Sequence, residues 1–190
     1  MGYHHGDLRS ALIAASFELL AESGLQRFSV AAAARRLGVS SAAPYRHFPD
    51  RAHLLGAVSA VAARELNAAI TGDLADAAGT YVRYVVRTGA GIPVIYAAEL
   101  RDLPDEERRE HTRALMATLM ELALDTGVET RQQAVALMES VLAVAHGYTS
   151  LLAEGFYVHG DGTVDSLADR ATTAAAALIT AGREPRGSAR

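Results

Sequence analysis

The sequence predicts an all-α protein. Three observations carry that prediction. Alanine, the strongest helix former, occurs 39 times in 190 residues, with Leu, Arg, Glu and Met filling much of the rest. Apolar residues recur at three- and four-residue spacing between Gly and Pro breaks. Alternating runs of β-branched residues, the mark of strands, are scarce.

The elements follow in order. Residues 7–23 make a first helix, with Asp7 as N-cap, an apolar face of Leu8, Leu12, Ile13, Phe17, Leu19 and Leu20, and Gly24 as its stop. Ser29 caps a short helix from Val30 to about Leu37, whose apolar face is Val30, Ala33, Ala34 and Leu37. Gly38 ends it, and Val39 is expected to be buried in the turn. Ser40 or Ser41 caps a further short helix to about His47, broken by Phe48 and Pro49. With Ser41 as N-cap, Pro44 falls at the third helical position, where no internal hydrogen bond is lost. Asp50 caps a long helix to about Ile70, with Leu54, Leu55, Val58 and Val61 facing inward.

Beyond Thr71 the breaks are Gly72, Gly89-Ala90-Gly91 with Pro93, Asp102-Leu103-Pro104, Gly127 and the stretch 155–162. They leave helices near 73–88, 93–101, 105–125, 128–154 and 164–181. Residues 183–190 read as a frayed tail. The expected division is 1–55, 56–182 and the tail.

Composition excludes several function classes. The chain has no Cys, so disulfides, thiolate catalysis and Cys-based zinc sites are ruled out. Half the residues are hydrophobic at a mean hydropathy of +0.10, which argues against long disorder. No apolar run of about 18 residues escapes interruption by charge, so no membrane-spanning helix is expected. The opening residues carry no basic stretch leading into an apolar one, and a cytoplasmic location is expected. His111 with Glu107 and Glu110, and His146 with Tyr148, are the groupings that could serve a metal or acid–base chemistry. No HExxH, GxSxG or phosphate loop accompanies them. The run DEERREH reads as a solvated helix start, with acids near the positive end of the helix. Neither catalysis, nor a metal, nor a cofactor is expected.

Charge is uneven. Every basic residue is Arg. The first 55 residues hold six Arg against four acids, and the rest hold twelve against eighteen. A basic small segment joined to a larger acidic one suggests a polyanionic partner for the first.

Residues 29–48 read SVAAAARRLGVSSAAPYRHF. A short helix, a tight Leu37-Gly38-Val39-Ser40 turn and a second short segment give the layout of a helix-turn-helix. Ala33 must be small where the segments cross. Gly38 supplies the left-handed backbone. Ser40 and Ser41 can satisfy free N–H groups or hold a phosphate.

The wider string resembles the N-terminal DNA-binding domain of the TetR family of repressors over residues 3–58. The matching features are the amphipathic first helix, SVAAAARRLGVS, PYRHF, Asp50-Arg51 and Leu54-Leu55. The opening Tyr3-His4-His5-Gly6-Asp7-Leu8-Arg9 and the later Val144-Ala145-His146-Gly147-Tyr148 are similar to one subgroup of that family. Pro44 departs from the pattern, which often has Leu or Ile there.

The resemblance implies roles. Ser29 and Ser40 contact phosphate. Ser41, Ala42 and Ala43 face the major-groove floor, where the two methyls suit a thymine methyl. Tyr45 reaches the backbone or a base edge, Arg46 pairs with guanine or, alternatively, holds a phosphate, and His47 and Arg51 hold phosphates. It also implies a homodimer through the last two helices on a palindromic operator of double-stranded DNA. A small-molecule effector, largely apolar, is implied in the C-terminal half, with Tyr81, Tyr84, Tyr96, Met116, Met120, Met138, His146 and Tyr148 as wall residues. The alternative is a DNA-binding dimer whose C-terminal half binds a protein partner or only dimerises.

Overall fold

A computed structural model describes residues 5–157 and 162–183, and all regular structure among them is helical. The chain runs through α1 (His5–Arg27), α2 (Val30–Arg36), a 3₁₀ turn (Pro44–Arg46), α3 (Arg51–Ala69), α4 (Leu74–Thr88) and α5 (Ile92–Ile95). A second 3₁₀ turn (Ala98–Leu100), α6 (Glu106–Asp125), α7 (Arg131–Ala153) and α8 (Val164–Arg183) complete it. Tyr3, His4 and the tail 184–190 lie outside the described residues.

Two helix starts follow caps read from sequence, Ser29 for α2 and Asp50 for α3. Asp50 accepts the His53 backbone N–H at 2.9 Å and starts α3. Thr130 and Gln133 form a reciprocal capping box at the head of α7. α1 begins at His5, ahead of the expected Asp7 cap, whose side chain lies outside the description. It leaves helical geometry at Gly24, with one further turn to Arg27.

Two expected helices are corrected. The helix expected over 93–101 is interrupted: Tyr96 leaves helical geometry and Ala97 is extended, at φ −52° and ψ 135°. The helix expected over 41–47 is a single 3₁₀ turn, with Pro44 as its first residue. Proline has no N–H to give the Ser40 carbonyl, which accepts instead from Ala43 N at 3.0 Å.

The residues form two compact units. The first comprises Met1–Glu65 and Tyr84–Arg113. Leu12, Leu20, Phe28, Val30, Ala33, Phe48, Leu54, Leu55 and Val58 are buried in it. Ser59, fully buried, donates to the Ile95 carbonyl at 2.9 Å. Gly89, at φ +66°, lies against the backbone of α1.

The second unit comprises Leu66–Arg83 and Ala114–Arg190. α7 packs along α8. Ala168, Ala171 and Ala175 are fully buried on α8. Gly79 of α4 faces the Ala168 carbonyl and Thr172 of α8, where a methyl group would not fit. Arg83 ties the same helices together through Asp165 at 3.0 Å and Asp169 at 2.9 Å.

α7 revises one expectation. Glu139 breaks its apolar run, yet by length and composition it meets the requirement for a membrane span, at a mean hydropathy of 1.4. Its buried stripe, Ala134, Leu137, Val141, Ala145 and Thr149, recurs at the helical spacing of a packed helix.

Candidate nucleic-acid interface

The helix-turn-helix is assembled by backbone hydrogen bonds. Ser29 is extended (φ −153°, ψ 152°), and its Oγ accepts the Ala32 N–H at 3.1 Å, starting α2. At the other end Gly38 N–H donates to Arg35 O and Val39 N–H to Ala34 O, both at 3.1 Å. With Gly38 left-handed, this is a Schellman stop. It reverses the chain within two residues and projects Ser40 onward. Val39 is only half-buried, a correction to its expected burial.

The segment after the turn presents a polar and methyl surface. Ser40, Ser41, Ala42 and Arg46 are exposed, Tyr45 is 53% exposed and Ala43 is half-buried. Neither serine caps the 3₁₀ turn, whose N-cap position is held by Ala43 without a side-chain bond. Pro44 and Phe48 are its buried anchors, and the Arg9 guanidinium lies 5.5 Å from the Phe48 ring centroid.

The expected basic residues divide. Arg46 belongs to none of the ion pairs among the described residues, so its guanidinium is available to an external acceptor. Arg36 is paired with Glu18 at 3.1 Å and with Glu22, and its hydrogen bond holds the Glu22 carboxyl below the ordinary range. His47 turns Nε2 inward without a partner, which leaves any phosphate contact to Nδ1.

Arg51, expected on a phosphate, is occupied within the protein. Its Nε donates to Phe28 O at 3.1 Å and Nη2 to Leu25 O at 3.0 Å. Nη1 pairs with Glu99, and the guanidinium lies over the Phe28 ring. It fastens the α1–α2 connection to the start of α3. Sequence reasoning missed this because the partners are backbone carbonyls, which carry no residue signature.

The residues expected around an effector scatter. Tyr84 and Tyr96 belong to the first unit. Tyr84 donates to Glu65 at 3.3 Å under the Arg87 guanidinium, and burial raises its phenol pKa. Tyr96 is 45% exposed. In the second unit Tyr81, buried, meets His146 Nδ1 at 3.1 Å with the rings edge-on, and His146 Nε2 lies 3.4 Å from Ser150 Oγ. Met116, Met120 and Met138 are half-buried. Tyr148 stacks on Tyr157 and lines an open groove of about 660 Å³ with Ser166, Asp169, Arg170, Thr173, Ala174 and Ala177. Among the described residues no cluster of three His, Asp or Glu is placed to hold a metal.

Comparison with known proteins agrees with this geometry. Residues 12–58 match the family described as bacterial regulatory proteins, tetR family, and residues 74–175 match the Tetracyclin repressor-like, C-terminal domain. A protein of unknown function from Rhodococcus sp. RHA1 is 25% identical, with TM-score 0.68, covering 95% of this chain and 98% of the other. A transcriptional regulator from the same source is 23% identical, with TM-score 0.61, covering 92% and 96%. A TetR variant from Acinetobacter baumannii AYE in complex with minocycline is 20% identical, with TM-score 0.60, covering 95% and 96%. No functionally curated protein matches the sequence. The C-terminal match alone spans more than half of the chain and the N-terminal match spans the helix-turn-helix, so the chain belongs to the TetR family of bacterial regulatory proteins.

Proposed function

We propose that this DNA-binding regulator is a cytoplasmic homodimeric repressor, released from a palindromic operator by a small molecule, with no catalytic step of its own. The observation that carries the reading is the exposed Ser40, Ser41, Ala42, Tyr45 and Arg46 surface set just past the Schellman stop at Gly38. Residues 1–55 serve as the reading head and 56–182 as the effector and dimerisation part. Ser29 and Ser40 contact phosphate through their hydroxyls, with His47 through Nδ1. Ser41 and the methyls of Ala42 and Ala43 meet base edges. Arg46 takes a guanine edge, flanked by Tyr45.

Selection of bound duplexes from a random pool tests this, and a palindrome with two half-sites is expected. Arg46→Ala is expected to lower affinity for the selected site by about 1–3 kcal/mol and to relax preference at one base pair per half-site. Equal weakening on all sequences would assign Arg46 to a phosphate instead.

The dimer is supported by α7. Only 22% of its apolar window is buried within one chain, and Leu151 is exposed. Leu142→Glu or Leu178→Glu is expected to reduce the sedimentation mass from twice 20.0 kDa to one chain. A wild-type mass of one chain at micromolar concentration would remove the dimer.

The effector reading is supported by the minocycline complex of the Acinetobacter relative and by the hydrogen-bonded Tyr81–His146 pair. In that part the effector meets an aliphatic, Met and Tyr wall, which suits a largely apolar compound with one or two polar groups.

A further inference from the structure

The start of α6 inverts the usual rule for charges. Exposed arginines there have acidic partners: Arg113 meets Glu106 at 3.2 Å and Arg109 meets it at 4.0 Å. Arg108 is 7% exposed, yet it belongs to none of the ion pairs among the described residues. Its Nη2 donates to the Leu100 carbonyl at 2.8 Å, and its buried Nε has no acceptor. Asp105 uses Oδ1 to accept the Arg108 backbone N–H at 2.9 Å, and leaves the guanidinium unpaired. A buried guanidinium served by one neutral carbonyl is costly, and an anion relieves that cost.

Tyr96 adds the second half of a site. Tyr96 is 45% exposed; burial raises its phenol pKa, and the charge of Arg108 acts on it in the opposite direction. All of these residues lie within the first unit.

We propose that Arg108 anchors a binding site for a small organic carboxylate, which accepts from its Nε while Tyr96 offers a ring and hydroxyl to the rest of the molecule. A carboxylate suits one planar cation with a free donor. A phosphate dianion would bring a second negative charge near Asp105, which accepts the Arg108 backbone N–H. The site goes beyond the effector reading above and shares no residue with the Tyr81–His146 set. It also touches the reading head: Leu100 ends the 3₁₀ turn that carries Glu99, and Glu99 holds Arg51 against the α1–α2 connection. A carboxylate that draws Arg108 from the Leu100 carbonyl loosens that turn and lowers operator affinity.

The test titrates the intact wild-type protein with acetate, hexanoate and benzoate, with benzamide as the uncharged control. The readout is the Arg108 Nε–H resonance, assigned by its loss in Arg108→Lys. At least one acid is expected to shift it saturably, more weakly in Tyr96→Ala, and benzamide is expected to leave it in place. A resonance that none of the acids moves, or that benzamide moves equally, overturns the site. The effective acid is also expected to weaken binding to the selected operator by about tenfold, within the ordinary range of allosteric coupling. Constant operator affinity while the resonance moves overturns the link to the reading head and keeps the site. Absence of operator binding without any acid counts against the DNA-reading proposal alone.

Discussion

Gly89→Ala is expected to be among the most damaging single substitutions in this protein. Gly89 has φ +66°, and a Cβ there would stand 2.3 Å from the Leu20 carbonyl carbon and 2.5 Å from Ala21 N. Two costs add: the left-handed backbone of a residue with a side chain, about 1–2 kcal/mol, and overpacking against immobile backbone, about 1–3 kcal/mol. A sum of about 2–5 kcal/mol corresponds to a fall in melting temperature of about 5–15 °C for a chain of this length. Gly38→Ala is the control, because Gly38 shares the same φ and a Cβ there meets nothing within 4 Å. Only the backbone cost of about 1–2 kcal/mol is expected from it. Thermal melts of the two variants, followed by circular dichroism, separate the contributions. Equal losses would mean that the close approach between Gly89 and α1 adds nothing.

Arg51→Ala is expected to destabilise the reading head rather than remove a phosphate contact. Its guanidinium holds Leu25 O, Phe28 O and Glu99 at once, so its loss leaves two carbonyls and one carboxylate without their donor. The side chain is 35% exposed and water replaces part of what is lost, so the net cost is about 2–3 kcal/mol. The salt dependence of operator binding distinguishes the two roles. A phosphate ligand that is removed flattens the slope of log affinity against log salt by about one unit, whereas a structural tie leaves the slope unchanged. Binding measured well below the melting temperature of the variant is expected to show the wild-type slope. A flatter slope with an unchanged melting temperature would restore Arg51 to the phosphate set.

Much of the architecture was legible in the chain itself. Ser29 and Asp50 announced helix starts because a cap is a local bond, made between residues three apart. Gly38 announced the turn for the same reason, since its backbone value and the two reversed hydrogen bonds involve only Ala34 to Val39. The same string carries the resemblance to the family that the chain belongs to. Pro44 stands out in the sequence, and the helix expected over 41–47 does not form around it. A missing N–H at one position was enough to reduce the segment to one 3₁₀ turn, because so short a helix has too few bonds to outlast the loss of one.

Other features were decided by the tertiary structure alone. Arg51 and Arg108 look alike in sequence, each an arginine in the first turn of a helix. One is enclosed by carbonyls from 23 and 26 residues away, the other buried with one carbonyl and an orphaned Nε. Gly89 reads as a helix stop, and only the approach of α1 makes it irreplaceable. The eight expected effector residues, all Tyr, Met or His, are alike in chemistry but not in place. The structure joins two of them, Tyr81 and His146, by a bond spanning 65 positions, and gives Tyr84 to Glu65. Caps and turns are local and therefore written in neighbouring residues. The partner of a buried charge, the space beside a glycine and the grouping of a binding wall depend on which distant segments meet, and that is settled only when the chain packs.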